Sequence, residues 1–379
     1  MSLMTRHFGD PYVVVADPHL RRACELAERG RGTTAPNPLV GCVLVRDGEV
    51  VGEGWHERAG GPHAEAVALA QAGEAARGAT AYVTLEPCSH TGRTPSCADA
   101  LVREGVERVV VGMPDPNPLA SGGTTILRRA GIDVVFAEDP RPFHELDLEW
   151  LHRQSTGRPF VRAKVALTLD GRPALAPGVR SALTGGAARE FAMRLRAHAD
   201  AVMVGTGTVA VDDPSLTVRD PSGAPAARQP RRIVLTRTEQ PSPDRRMFHD
   251  ALGAVTVLLP DTLDLDDGLA AVGAVGLGYD IERGLSGVME ALASMDVVSL
   301  LIEPGPRLFG PLMSAGLVDE LVLLHAGGLG GEEAPALFVG RQQDDPSTLR
   351  RPLRAVEAAV LGDDAVTVWR PRRTEDGNE

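Results

Sequence analysis

Pro62-His63-Ala64-Glu65, read together with Glu86-Pro87-Cys88 and Ser96-Cys97, organises the first half of this chain. One imidazole and two thiolates are ligands of the kind that hold a tetrahedral zinc, with a fourth position left for water. Glu65 stands two residues beyond the histidine, where a carboxylate can move protons without binding the metal. The blander reading is a helical histidine, a surface glutamate and two unrelated buried thiols. The order of the residues, with proline directly before the first cysteine, favours the metal. The spacing also sets the local fold. Residues 63–76 carry a helical pattern after Gly60-Gly61-Pro62, so His63 and Glu65 fall in a first helical turn. Residues 81–85 read as a strand delivering Cys88 at its carboxyl end. Cys97 opens the next helix, where the dipole favours a thiolate. Strand ends and helix starts are the usual ligand position of an α/β sheet.

Working outward, residues 18–30 form an amphipathic helix with Leu20, Cys24 and Ala27 on one face. Residues 39–45 and 50–55 are strands around Arg46-Asp47-Gly48-Glu49, a hairpin signal. A strand over 106–111, a helix over 124–130 and a strand over 132–136 complete a first domain expected over residues 1–150. Asp139-Pro140-Arg141-Pro142 breaks the pattern, and residues 143–151 read as one connecting helix. A second α/β domain is expected over residues 151–379, with strands at 160–167, 201–204, 231–235, 254–259, 297–302 and 318–324 and a helix at 187–198. Its Gly205-Thr206-Gly207-Thr208-Val209-Ala210 fits a dinucleotide pattern, but Asp212-Asp213-Pro214 stops a helix almost at once. The segment therefore reads as a glycine-rich strand-to-loop turn whose amides can touch a phosphate. Residues after Arg370 read as frayed.

Composition narrows the function. At 379 residues the chain exceeds one ordinary core. No uninterrupted apolar run of about 18 residues and no signal-peptide pattern is present, so a cytoplasmic protein with no membrane partner is expected. Two cysteines beyond the metal set, Cys24 and Cys42, read as buried hydrophobes. A net charge of −12 and an aromatic content of 4% argue against a nucleic-acid partner. A free small molecule is the expected substrate.

His-x-Glu…Pro-Cys is the signature of zinc-dependent nucleobase deaminases, which replace a ring amino group by oxygen. Longer stretches carry a closer likeness: Thr34-Ala-Pro36-Asn37-Pro38-Leu-Val-Gly41-Cys42, Thr84-Leu-Glu86-Pro87-Cys88-Ser89-His90, Thr91-Gly-Arg93-Thr-Pro95-Ser-Cys97, Leu169-Asp170-Gly171-Arg172, Asp212-Asp213-Pro214-Ser-Leu216-Thr-Val-Arg219 and Glu303-Pro-Gly305-Pro306. In these the chain resembles the bifunctional riboflavin biosynthesis deaminase/reductase family, over nearly its whole length. The resemblance implies a cytidine-deaminase-like α/β/α sandwich followed by a dihydrofolate-reductase-like α/β domain. It implies deamination of a phosphorylated diaminopyrimidine with zinc, then NADPH-dependent reduction of the ribosyl to a ribityl chain, in a homodimer or higher homo-oligomer. By the same resemblance His63, Cys88 and Cys97 hold zinc and Glu65 is catalytic. Asn37, His56, His90, Asp115 and Asn117 contact the substrate, and Arg93, in the loop between the cysteines, meets its phosphate. In the second domain Arg180, Arg196, Leu216, Arg219 and Glu303 match substrate positions. Ala166, Ala182, Thr208, Asp212 and the turn Gly305-Pro306-Arg307-Leu308-Phe309-Gly310-Pro311 match NADPH positions.

Three positions depart from the family. Arg180 stands where a serine touches substrate, Ala182 where a tryptophan packs on the cofactor, and Thr124 where glycine is usual. The alternative these departures raise is a working deaminase joined to a weak or non-catalytic, ligand-binding or dimerising domain.

Overall fold

The computed structural model describes residues 12, 14–90, 96–220, 222–338 and 353–372. The chain divides between Gly157 and Arg158 into two compact units. The first is built on a five-stranded sheet of order β2-β1-β3-β4-β5. Helix α1 (Pro18–Glu28) starts where the Asp17 carboxylate accepts from the His19 and Leu20 N–H groups. It buries Leu20, Ala23, Cys24, Leu26 and Ala27 against the sheet, as the periodicity requires. Strands β1 (Gly41–Arg46) and β2 (Glu49–Trp55) form the expected hairpin. Asp47 and Gly48 both take positive φ, 52° and 82°, which matches the right-handed twist of the strands they join.

Helix α2 (Ala64–Ala72) follows, with His63 as its N-cap. It lies directly on the β2 backbone: a Cβ at Gly54 would sit 2.3 Å from the Ala64 oxygen, and one at Gly52 2.3 Å from that of Ala68. These two glycines let the His63–Glu65 turn approach the sheet. Strands β3 (Thr80–Leu85), β4 (Arg108–Met113) and β5 (Asp133–Phe136) run parallel, while β1 is antiparallel to β3. Helices α3 (Cys97–Arg103) and α4 (Gly123–Arg129) alternate with them. Cys42, Leu44, Val83, Leu101, Val109 and Leu127 form the core between sheet and helices.

The connecting segment is two helices rather than one, α5 (Arg141–Leu146) and α6 (Leu148–Thr156). The break falls at Asp147, whose carboxylate turns inward to accept the Leu39 N–H at 2.8 Å. Arg31 donates to the Leu146 carbonyl and, at 3.5 Å, to Glu149 in α6. These contacts keep α6 with the first unit, so the division lies beyond the boundary expected after residue 150.

The second unit holds a nine-stranded sheet of order β10-β9-β8-β7-β11-β6-β12-β14-β13. Strands β6 (Phe160–Leu167), β7 (Ala201–Gly205), β8 (Arg231–Leu235), β9 (Val255–Pro260), β10 (Val275–Tyr279), β11 (Ser299–Ile302) and β12 (Glu320–His325) are parallel. The hairpin of β13 (Leu353–Leu361) and β14 (Asp364–Pro371) closes one edge antiparallel. Each face carries its own core, one around Leu300, Ile302 and Leu312 and the other around Phe191, Leu195 and Val202. Buried Glu320 accepts from Arg162 and Arg370, stitching β6, β12 and β14 together.

Two expectations are corrected here. Thr206–Asp212 is a short helix, α8, following α7 (Gly186–His198), and not a loop. It stops at Asp213 in the left-handed region (φ 41°), as the Asp-Asp-Pro sequence requires. The expected turn from Gly305 to Pro311 is mostly helix α11 (Pro306–Ser314), which also follows α9 (Asp267–Ala271) and α10 (Leu285–Ser294). Gly305 is the N-cap and proline takes the first turn, where its missing N–H costs nothing. Phe309 consequently points into the core.

Candidate active site

His63, Cys88 and Cys97 converge from three elements: the N-cap of α2, the chain just beyond β3 and the first residue of α3. The Ser96 hydroxyl caps α3, accepting the Asp99 N–H at 3.1 Å, which fixes where Cys97 begins. His63 Nδ1 lies 3.6 Å from Cys88 Sγ and 3.3 Å from Cys97 Sγ. The three donor atoms all lie within 4.8 Å of one another. A tetrahedral zinc with N and S bonds of about 2.0–2.3 Å has N···S edges of about 3.6 Å, so the set fits this ion closely. The Cys97 thiol and His63 hold the Cys88 thiol well below a free cysteine, while the pairing with Cys88 raises Cys97. The His63 ring in turn donates to Cys88, which raises its own pKa.

Glu65 is 3% exposed in the first turn of α2. Burial pushes its carboxyl up, and the nearby Cys88 adds to the rise. A carboxyl drawn toward neutrality beside a metal-ligand set is suited to accept and return a proton.

His56 is 3% exposed, and burial lowers its pKa, which favours the neutral ring. Its Nδ1 lies 2.9 Å from the Pro62 carbonyl, which can only accept, so Nδ1 carries the proton. Nε2 then accepts from Asn37 Nδ2 at 3.1 Å, and the Asn37 oxygen is left to accept from a ligand. Asp115 and Asn117 share a loop after β4, where Asp115 Oδ1 accepts the Asn117 N–H. Burial raises the Asp115 carboxyl, and His90 is near enough to lower it in part. His90 itself is exposed. Arg93 lies outside the described residues. Tight packing at the foot of this loop requires glycine at 123, where a Cβ would lie 1.7 Å from the Pro87 oxygen. Thr124, one position on, instead uses its hydroxyl to donate to Glu86 at 2.8 Å.

In the second unit Arg196, at the end of α7, grips Glu303 through Nε (2.6 Å) and Nη2 (3.0 Å). Lys164 on β6 adds a third contact at 3.1 Å. Burial alone would raise Glu303, but the two cations hold it well below the usual carboxylate range. Arg196 also donates to the Thr217 carbonyl beside Leu216, which is buried with φ 56°. Asp212 belongs to the same charged neighbourhood. Burial raises it, while Arg180 and Lys164 pull it down. Thr208 Oγ1 would lie 3.1 Å from a Cβ at Gly305, so these two expected cofactor residues meet at the carboxyl ends of neighbouring strands β7 and β11. Such a crevice, where strand order reverses and helix N-termini face the ligand, suits a phosphate-bearing cofactor. The open backbone at Gly207, where a Cβ would meet nothing within 4 Å, is compatible with that fit.

Arg219 is exposed and donates to Gly223 in a local turn. Arg307, Pro311 and Ala182 are exposed, Ala166 is partly buried on β6, Leu308 packs against the core that holds Phe309 and lies against the Gly205 end of β7, and Gly310 is buried in α11. Lys164 was not anticipated. A lysine within the otherwise mostly apolar central strand Phe160–Leu167 was the available signal.

Comparison with known proteins places both halves. Residues 15–113 match the cytidine and deoxycytidylate deaminase zinc-binding region, and residues 159–367 match the RibD C-terminal domain. The riboflavin biosynthesis protein RibD of Escherichia coli (strain K12) is 43% identical over 330 residues, 84% of this chain and 89% of the relative. That of Aquifex aeolicus (strain VF5) is 37% identical over 356 residues, 93% of this chain and 97% of the relative. Among solved structures, RibD of Acinetobacter baumannii (form 1) superposes with a TM-score of 0.84 at 39% identity, covering 96% of this chain and 99% of its own. A diaminohydroxyphosphoribosylaminopyrimidine deaminase/5-amino-6-(5-phosphoribosylamino)uracil reductase from Thermotoga maritima gives 0.81 at 29% identity, covering 93% and 98%.

Proposed function

Because the chain belongs to the RibD family of riboflavin biosynthesis proteins, with a zinc-binding deaminase domain and a reductase domain, we propose its specific reactions and the residues that carry them. The deaminase hydrolyses the 2-amino group of 2,5-diamino-6-(5-phosphoribosylamino)pyrimidin-4-one. The reductase then converts the ribosyl to a ribityl chain with NADPH. The single observation that carries the first assignment is the convergence of the His63, Cys88 and Cys97 donor atoms, with buried Glu65 two residues from the histidine.

His63, Cys88 and Cys97 would hold zinc, which when bound supplies Lewis-acid activation of water. Glu65 takes a proton from the attacking water, delivers it to a ring nitrogen and then assists departure of ammonia. The Asn37 oxygen and Asp115 accept from the pyrimidine, and Arg93 meets its phosphate. In the reductase, NADPH supplies a hydride when bound. Lys164 and Arg196 present positive charge held in place by Glu303, and the Thr208–Gly305 crevice takes the cofactor. A cytoplasmic location and a homodimer or higher homo-oligomer complete the reading, supported by the family.

The metal assignment is tested by composition. Purified protein should contain about one zinc per chain, and Cys88→Ser should lose most of it. Unchanged zinc in both Cys88→Ser and Cys97→Ser would reject the site.

One observation favours a weakened reductase as a second reading: Ala182 is exposed in an irregular segment. A tryptophan ring placing ~80 Å² on NADPH would contribute about 2 kcal/mol, close to 30-fold in affinity. Ala182→Trp should therefore tighten NADPH binding by about that factor in a fluorescence titration. Tight binding by the parent chain, or no gain in the variant, would show that another residue has taken the ring's place.

A further inference from the structure

Glu86 is 7% exposed and lies two residues before Cys88. Among the described residues its carboxylate meets four donors from a distant loop and no cation. Oε1 accepts from Gly122 N (3.1 Å), Thr124 N (3.0 Å) and the Thr124 hydroxyl (2.8 Å), and Oε2 accepts from Asp115 N (3.2 Å). One side chain thus closes both ends of the loop from Asp115 to Thr124. Ser89, just beyond Cys88, tethers the middle. Its N–H donates to the Ala120 carbonyl at 2.9 Å and its hydroxyl to that of Ser121 at 2.6 Å. Cys88 is therefore bracketed by two residues that bind the Asp115–Thr124 loop, Glu86 at its two ends and Ser89 at Ala120 and Ser121.

We propose that Glu86, assisted by Ser89, is a positioning pair for deamination: it sets the Asp115–Asn117 loop against the strand end that carries Cys88, so that substrate contacts and metal ligands keep one register. The role rests on the deaminase reading above and acts through Asp115, not through the metal. A buried carboxylate with four donors is a rigid tie, since each lost contact leaves an unpaired buried group. The Asp115 side chain is then held in turn by its own bond to Asn117 N.

Glu86→Gln is the selective probe. Its amide oxygen can still serve Gly122 and Thr124, while its NH₂ faces the Asp115 N–H, donor against donor. In the full zinc-loaded protein, KM for the phosphorylated diaminopyrimidine should rise about 10- to 100-fold, with kcat within about threefold and zinc unchanged. In an Asp115→Ala background the same substitution should add no more than about twofold, because the two act in series. An equal penalty in both backgrounds, or lost zinc and kcat at unchanged KM, overturns the positioning role. A wild-type KM in Asp115→Ala itself overturns instead the substrate assignment beneath it. Should Glu86→Gln not fold, Ser89→Ala removes one hydroxyl only and should raise KM about threefold to tenfold with zinc retained. An unchanged KM there also overturns the proposal.

Discussion

Glu65→Gln should retain its zinc and deaminate at least about 100-fold more slowly, the usual scale for a lost general acid–base group. Glutamine preserves the size of the side chain in a site only 3% exposed, so packing of α2 on β2 should survive. What it removes is the exchangeable proton. Burial has drawn the Glu65 carboxyl toward neutrality, and an amide offers no comparable titration. Reductase turnover, carried by the second unit, should be unaffected. Ammonia release together with metal analysis checks this, and near-normal deamination by a zinc-loaded variant would remove Glu65 from the mechanism.

Glu303→Ala should disable the other half. Removing one partner of a buried ionic cluster costs about 3–5 kcal/mol, because the charges left behind stay desolvated. Here Arg196 and Lys164 would both be left without their carboxylate. NADPH oxidation should fall at least about 100-fold through misplacement of these cations, while the deaminase keeps working. The pH dependence has a definite sign. Glu303 is held below the usual carboxylate range, so its contribution is fully present above the unfolded value of about 4.3 and is lost as pH falls through the depressed folded value. Acid unfolding of the reductase unit should therefore begin at higher pH in the variant. Identical acid unfolding profiles for variant and parent would contradict the cluster's role.

The candidate metal site, His63, Cys88 and Cys97 brought within 4.8 Å of one another, was legible in the sequence because residue identity and order carry its chemistry. His63, Glu65, Cys88 and Cys97 needed only a helix start, a strand end and a second helix start, all local features. The hairpin at Asp47-Gly48 was legible for the same reason, since its positive φ angles demand those residues. Strand β10 was not, because Gly276 and Gly278 argue against a strand and only parallel pairing with β9 enforces one. Helix α8 was missed because its glycine, threonines and valines are weak helix formers, and contacts of the strand-to-helix turn decide the outcome. Phe309 read as a turn residue, yet the register of α11 carries it into the core. Glu86 and Lys164 escaped notice because their partners lie 29 to 38 and 139 residues away in sequence. No local pattern records such pairings.

Mass spectrometry of products formed from 2,5-diamino-6-(5-phosphoribosylamino)pyrimidin-4-one, with and without NADPH, tests the two-reaction account most directly. Without NADPH the account predicts a single change, one amino group replaced by oxygen, with ammonia released. With NADPH it predicts the same change followed by the gain of two hydrogens in the sugar-derived chain. Two hydrogens gained with every amino group retained, or no deaminated product from zinc-loaded protein, would contradict it.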